Sequence, residues 1–133
     1  MSAPLRLAFL GCGFITRVHS RHVRALGGDV VCSYASRDRA KAEAFRRRFR
    51  GAAAYASYSA AIEDPRVDAV VVAVPPRFHC ELTLQALGAG KHVLVEKPAF
   101  CRLTEYRAAI EARTRAGRVV LVGENDHYKP LAV

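Results

Sequence analysis

Residues 67–74 read Val-Asp-Ala-Val-Val-Val-Ala-Val, and this run constrains the fold more than any other part of the chain. It is β-branched and nearly apolar on both faces. Such a segment suits a central strand of a parallel sheet, covered by helices on each side. Pro75-Pro76 ends it, because two prolines withdraw two backbone donors.

The flanking segments extend the same logic. Short apolar runs at 5–10, 30–35, 93–95 and 119–122, with a weak one at 53–55, read as strands. Amphipathic runs at 14–26, 39–50, 59–63, 78–87 and 105–115 read as helices. In the second helix Ala42, Phe45 and Phe49 share one face and arginines fill the other. Gly51 stands where a left-handed residue closes a helix, Gly88 and Gly90 close the fourth helix, and Thr104 is placed to cap the fifth. Strands alternating with helices predict an α/β fold, a doubly wound parallel sheet of about six strands.

Composition narrows the function. At 133 residues with 51% hydrophobic content, the chain suits one soluble domain. Its apolar runs are well short of the roughly 20 residues that span a bilayer. The start lacks a basic stretch followed by a long apolar one, so no secretory signal or membrane partner is expected, and the cytoplasm is the expected compartment. The cysteines at 12, 32, 80 and 101 never approach Cys-x-x-Cys spacing. They read as reduced small hydrophobes, with no metal site. The net charge of +9 raises the question of nucleic acid. Arg46, Arg47, Arg48 and Arg50 form a basic helix end, but aromatic platforms and recognition motifs are missing, so a solvated face is the simpler reading.

The chemistry-bearing motif is Gly11-Cys12-Gly13-Phe14-Ile15-Thr16, where the first strand becomes the first helix. In that context Gly11 allows the tight turn and Gly13 lets the backbone approach a pyrophosphate. The helix start at Phe14 and Ile15 offers unpaired N–H groups to the anion. Thr16 stands where a third glycine often serves helix–strand packing. The second strand ends Ala35-Ser36-Arg37-Asp38. A carboxylate at this strand end grips the ribose of NAD, whereas Ser36 with Arg37 suits a 2′-phosphate, so the pattern favours NADP over NAD. Asp38 either caps the next helix or binds the ribose.

At Gly90-Lys91-His92-Val93-Leu94-Val95-Glu96-Lys97-Pro98 the chain closely resembles the glucose–fructose oxidoreductase and inositol dehydrogenase (Gfo/Idh/MocA) family. The resemblance extends to Gly11-Cys12-Gly13, Ala35-Ser36-Arg37-Asp38, residues 64–70 and Gly123-Glu124-Asn125, in the family's order and spacing. It implies an N-terminal Rossmann domain binding NAD or NADP. It also implies that Glu96 and Lys97 lie beside the cofactor, with Lys97 near the nicotinamide and the substrate hydroxyl. A lysine at a strand's carboxyl end can hydrogen-bond a reacting alcohol and ease its deprotonation. The bond before Pro98 is often cis in the family. Pro75 falls in a cofactor-lining loop, where Pro76 replaces a common asparagine. His79 matches a histidine found near the cofactor, and a helix-start surface histidine is the alternative. Asn125 falls where relatives line the substrate cleft, with His127 and Tyr128 weaker candidates.

The resemblance implies a second domain that this chain lacks. Residues 1–123 read as the NAD(P)-binding domain and 124–133 as the start of a connector. The expected activity is hydride transfer to or from a sugar, polyol or related hydroxy compound, with little turnover by this chain alone. The alternative is a stand-alone dinucleotide-binding module, or a subunit completed in trans by a separate substrate-domain chain. Self-association through apolar surface left by the missing domain is a further expectation.

Overall fold

The computed structural model describes residues 2–125 together with 129 and 130. Its strands are β1 (Leu5–Leu10), β2 (Val30–Ala35), β3 (Ala54–Tyr55), β4 (Ala69–Val72), β5 (His92–Glu96) and β6 (Val120–Gly123). The helices are α1 (Phe14–Val23), α2 (Arg39–Phe49), α3 (Tyr58–Glu63), α4 (His79–Gly88) and α5 (Leu103–Ala116). All strand pairs are parallel, in the order β3-β2-β1-β4-β5-β6. The strand order reverses between β1 and β4. At such a reversal in an open parallel sheet, the carboxyl ends of the two strands are where ligands generally bind.

The valine run occupies the centre, as its sequence requires. Val70, Val71 and Val72 are at most 4% exposed, and burial of each stabilises the fold by about 1.5–3 kcal/mol. On one face Ala8, Leu10, Val70, Val72, Val93 and Val95 pack with Ile62 of α3, Leu82 and Ala86 of α4 and Ala109 of α5. On the other, Phe9 and Val71 pack with Tyr34, Ala42 and Phe45. Tyr34 stacks on Phe9 with centroids 5.6 Å apart, and its hydroxyl donates to Ser20 of α1 at 2.9 Å.

Several local expectations are corrected. β4 is shorter than the apolar run, because Val67 belongs to the preceding turn, where its N–H donates to the Asp64 carbonyl. Buried Lys91 closes that turn, its ammonium donating to the carbonyls of Asp64 (2.8 Å) and Val67 (2.6 Å). α1 ends at Val23, and a 3-10 segment containing Gly27 at φ +62° follows. Arg50, not Gly51, takes the left-handed position after α2. Gly51 is required by packing instead, since a Cβ there would lie 2.8 Å from the Tyr34 ring. Thr104 lies inside α5. The helix start is closed by the Glu105 carboxylate, which accepts from the N–H groups of Cys101 (2.8 Å) and Arg102 (3.1 Å). Burial pushes the Cys12 and Cys32 thiols up to about 11. Among the described residues no helix is long and apolar enough to cross a membrane.

Candidate functional site

The parallel sheet brings the carboxyl ends of β1, β2, β4 and β5 to one edge, and most of the residues singled out in the sequence lie there. At the end of β1, Gly11 adopts φ +107°, and a Cβ at that position would meet the Ala73 carbonyl oxygen at 2.2 Å. No other residue type fits. Its N–H donates to the Ala35 carbonyl at 3.0 Å. Thr16, fully buried, donates its hydroxyl proton to the Gly11 carbonyl at 2.7 Å, so the residue in the third-glycine position locks the turn from within.

Gly13 precedes α1 with extended backbone (φ −109°), and a Cβ there would meet nothing within 4 Å. The protein's own packing therefore does not demand glycine at this position. Phe14 is largely exposed and Ile15 partly so, and the first turn of α1 holds no acidic side chain. The leading N–H groups of a helix have no partner within it and carry its positive dipole end, which makes this mouth complementary to an anion.

At the end of β2, Ser36 is buried and its hydroxyl oxygen accepts from the Asp38 N–H at 3.1 Å. Asp38 accepts from the Ala40 N–H at 3.0 Å. Of its two readings, the structure shows the cap. Arg37 is exposed and lines a cavity of about 300 Å³ with Tyr58, Pro75, Phe78, Glu81 and Gln85. That space adjoins the strand ends and has both polar and apolar walls.

His79 is neither a surface residue nor an open site residue. It is 1% exposed, with Nε2 2.7 Å from the Val74 carbonyl oxygen and Nδ1 3.0 and 2.9 Å from those of Pro98 and Ala99. Of its two readings, the helix-start surface histidine is corrected by this burial. The ring lies beneath the loops that border the crevice, not on their surface.

β5 delivers Glu96 and Lys97, and the Lys97-Pro98 peptide is cis. The Glu96 carboxylate pairs with His19 Nε2, and the His19 ring stacks on Phe9. Gly123 lies opposite Glu96 in the β5–β6 register, and a Cβ there would sit 3.1 Å from a Glu96 carboxylate oxygen. The Lys97 ammonium lies 3.7 Å from a Glu124 carboxylate oxygen, both side chains being about half exposed. Asn125 is exposed beyond the same edge. His127 and Tyr128 lie outside the described residues.

His19 carries no motif in the sequence, and Gly123 and Glu124 enter there only as part of the segment that resembles the family, without a role. Helical spacing carried a signal for the first. Thr16 and Ser20 are the buried positions of α1, so His19 between them borders the sheet-facing side. A wider groove of about 530 Å³ runs along the sheet face, lined by Leu5, Leu7, Val23, Leu94 and Leu121 among others. Its walls are almost wholly apolar, which does not suit a diphosphate.

Residues 5–124 match the family profile described as an oxidoreductase family with an NAD-binding Rossmann fold. A dTDP-3,4-didehydro-2,6-dideoxy-α-D-glucose 3-reductase from Saccharopolyspora spinosa is 42% identical over 99 residues, 74% of this chain and 30% of the reductase. An NAD-binding oxidoreductase from Klebsiella pneumoniae superimposes with a TM-score of 0.89 at 28% identity, covering 96% of this chain and 36% of that one. A 3-ketoreductase from Actinomadura kijaniata, crystallised with NADP and TDP-benzene, superimposes with a TM-score of 0.88 at 29% identity, covering 96% and 39%. The chain thus spans about a third of the length of the proteins it matches. It belongs to the Gfo/Idh/MocA family of oxidoreductases, and what it contains of that family is the NAD-binding Rossmann fold.

Proposed function

We propose that this chain is the dinucleotide-binding half of an NADP-preferring oxidoreductase acting on a sugar, polyol or related hydroxy compound. The observation that carries the reading is the pairing of an anion-ready turn at Gly11–Thr16 with Lys97 at the carboxyl end of β5. The donor set fits a nicotinamide dinucleotide. Open space at Gly13 admits a pyrophosphate beside the first-turn amides of Phe14 and Ile15. Ser36 and Arg37 hold the 2′-phosphate end, with Pro75 on the flank and Glu96 bordering the nicotinamide end. The relative named as a dTDP-sugar 3-reductase, and the 3-ketoreductase crystallised with TDP-benzene, support the substrate class.

When bound, the nicotinamide ring supplies or accepts a hydride. This chain's own groups bind and orient. The Lys97 ammonium hydrogen-bonds the reacting oxygen and lowers the cost of moving its proton, while Asn125 lines the substrate side. In this reading residues 1–123 are the cofactor domain and 124–133 the start of a connector. Hydride transfer needs the donor carbon held against the ring, so the chain by itself turns over slowly or not at all. The apolar sheet face also supports a second reading, a binding subunit completed in trans by a separate substrate-domain chain or by self-association. Calorimetric titration with NADP and NAD tests the first reading. NADP is expected to bind more tightly, with an advantage of about tenfold that Arg37→Ala removes. Equal affinities in the unmutated chain would refute the preference for NADP. Oxidation of a polyol at an ordinary enzymatic rate would refute the need for a second half.

A further inference from the structure

We propose that His79 is a positioning residue that sets the place of Lys97 by tying the loop after β5 to the loop after β4. This rests on the reading of Lys97 as the group that meets the reacting oxygen. Three carbonyl oxygens from two loops converge on one fully buried ring. Val74 lies on the Nε2 side, and Pro98 and Ala99 on the Nδ1 side. A neutral imidazole donates from one nitrogen and a doubly protonated one donates to both loops at once.

The loop carrying Lys97 is held farther along by buried apolar side chains and by the Glu105 carboxylate, whereas His79 meets it at the two residues next to the lysine. Pro98 has no N–H to offer. Ala99 and Phe100 are buried in the core on the α4–α5 side, which anchors the loop beyond the proline. The ring thus braces the two residues that follow Lys97, while its other edge reaches the loop containing Pro75. A shift of His79 moves both walls of the crevice together. The distance between the nicotinamide end of the site and the ammonium is what such a brace controls, and small misplacements there are costly.

The test uses the full chain labelled with [ε-¹³C]lysine, which has four lysines and whose Lys97 signal is assigned with Lys97→Arg. In His79→Leu the Lys97 signal is expected to move or broaden while that of Lys41 stays in place. His79→Gln, which restores an N–H donor, is expected to return it toward the wild-type position. In parallel, NADPH affinity should fall about tenfold in His79→Leu, while affinity for 2′-phospho-ADP-ribose, which lacks the nicotinamide, changes less than about twofold. An unmoved Lys97 signal in folded His79→Leu, or equal weakening of both ligands, would overturn the proposal. If His79→Leu does not fold, the wild-type ring decides. Slowly exchanging ring N–H protons with contacts to Val74 and Ala99 support the brace, and ring protons in free exchange with water refute it. Wild-type protein that binds neither nucleotide would refute the proposed function alone, since the lysine spectra still judge His79.

Discussion

Gly11 and Gly13 are two residues apart in one motif, yet the structure assigns them opposite vulnerabilities. In Gly11→Ala the new methyl carbon would stand 2.2 Å from the Ala73 carbonyl oxygen, on a backbone at φ +107°. Holding an L-residue in such a conformation costs about 1–3 kcal/mol. Relieving the overlap by shifting β1 against the end of β4 adds about 1–3 kcal/mol. The expected loss is therefore about 2–6 kcal/mol, a large part of the stability of a domain this size. In Gly13→Ala the methyl group meets nothing within 4 Å and the backbone is in a region open to every residue. Its cost to stability should stay below about 1 kcal/mol, the usual penalty for alanine before a helix. In the proposed function the same methyl group intrudes on the approach of the pyrophosphate, so NADP affinity should fall at least about tenfold. Urea denaturation followed by circular dichroism measures the first effect and calorimetric titration the second. A Gly11→Ala protein as stable as wild type, or a Gly13→Ala protein binding NADP as tightly as wild type, would refute the reasoning about the turn.

Two further predictions concern groups outside the turn. Hydrogen bonds from Arg66, and further from Tyr55, hold the Asp64 carboxyl well below the usual carboxylate range, and Arg6 lowers Asp68 in the same way. A depressed native pKa gives stability that is complete above the unfolded value of about 3.9 and is lost as pH falls through the native one. The urea midpoint should thus decline with acid below about pH 5, and Asp64→Asn should make that decline shallower. An unchanged slope would contradict the assignment. In Gly123→Ala the added carbon, 3.1 Å from a Glu96 carboxylate oxygen, should displace Glu96 and disturb its pairing with His19. The change in stability should stay within about 1 kcal/mol. The His19 ring resonances should shift in that variant, and their constancy would argue against this contact.

What the sequence discloses and what it conceals divide along the range of the interactions involved. The valine run, the strand–glycine–helix turn and the Glu96-Lys97-Pro98 segment are local patterns, and each appears where its residue types require. His19 and Glu96 meet across 77 positions, and only the stacking order β1-β4-β5 brings α1 within reach of the end of β5. His79 looks like a helix-start surface residue until the loop after β5 folds over it. Gly51 was legible as a glycine position but for the wrong reason, since the constraint comes from the Tyr34 ring and not from its own backbone. Thr104 and Glu105 show competition at close range. The sequence points to Thr104 as the cap of α5, but the helix starts before it, and the longer Glu105 side chain reaches back to two N–H groups.

Amide chemical-shift mapping of the ¹⁵N-labelled chain during addition of NADP addresses the central claim most directly. The account predicts saturable shifts centred on residues 11–17, 36–38, 74–79 and 95–97, with the far ends of the same strands unaffected. Shifts confined to the apolar groove around Leu7 and Leu121, or no saturable change at millimolar NADP, would contradict it.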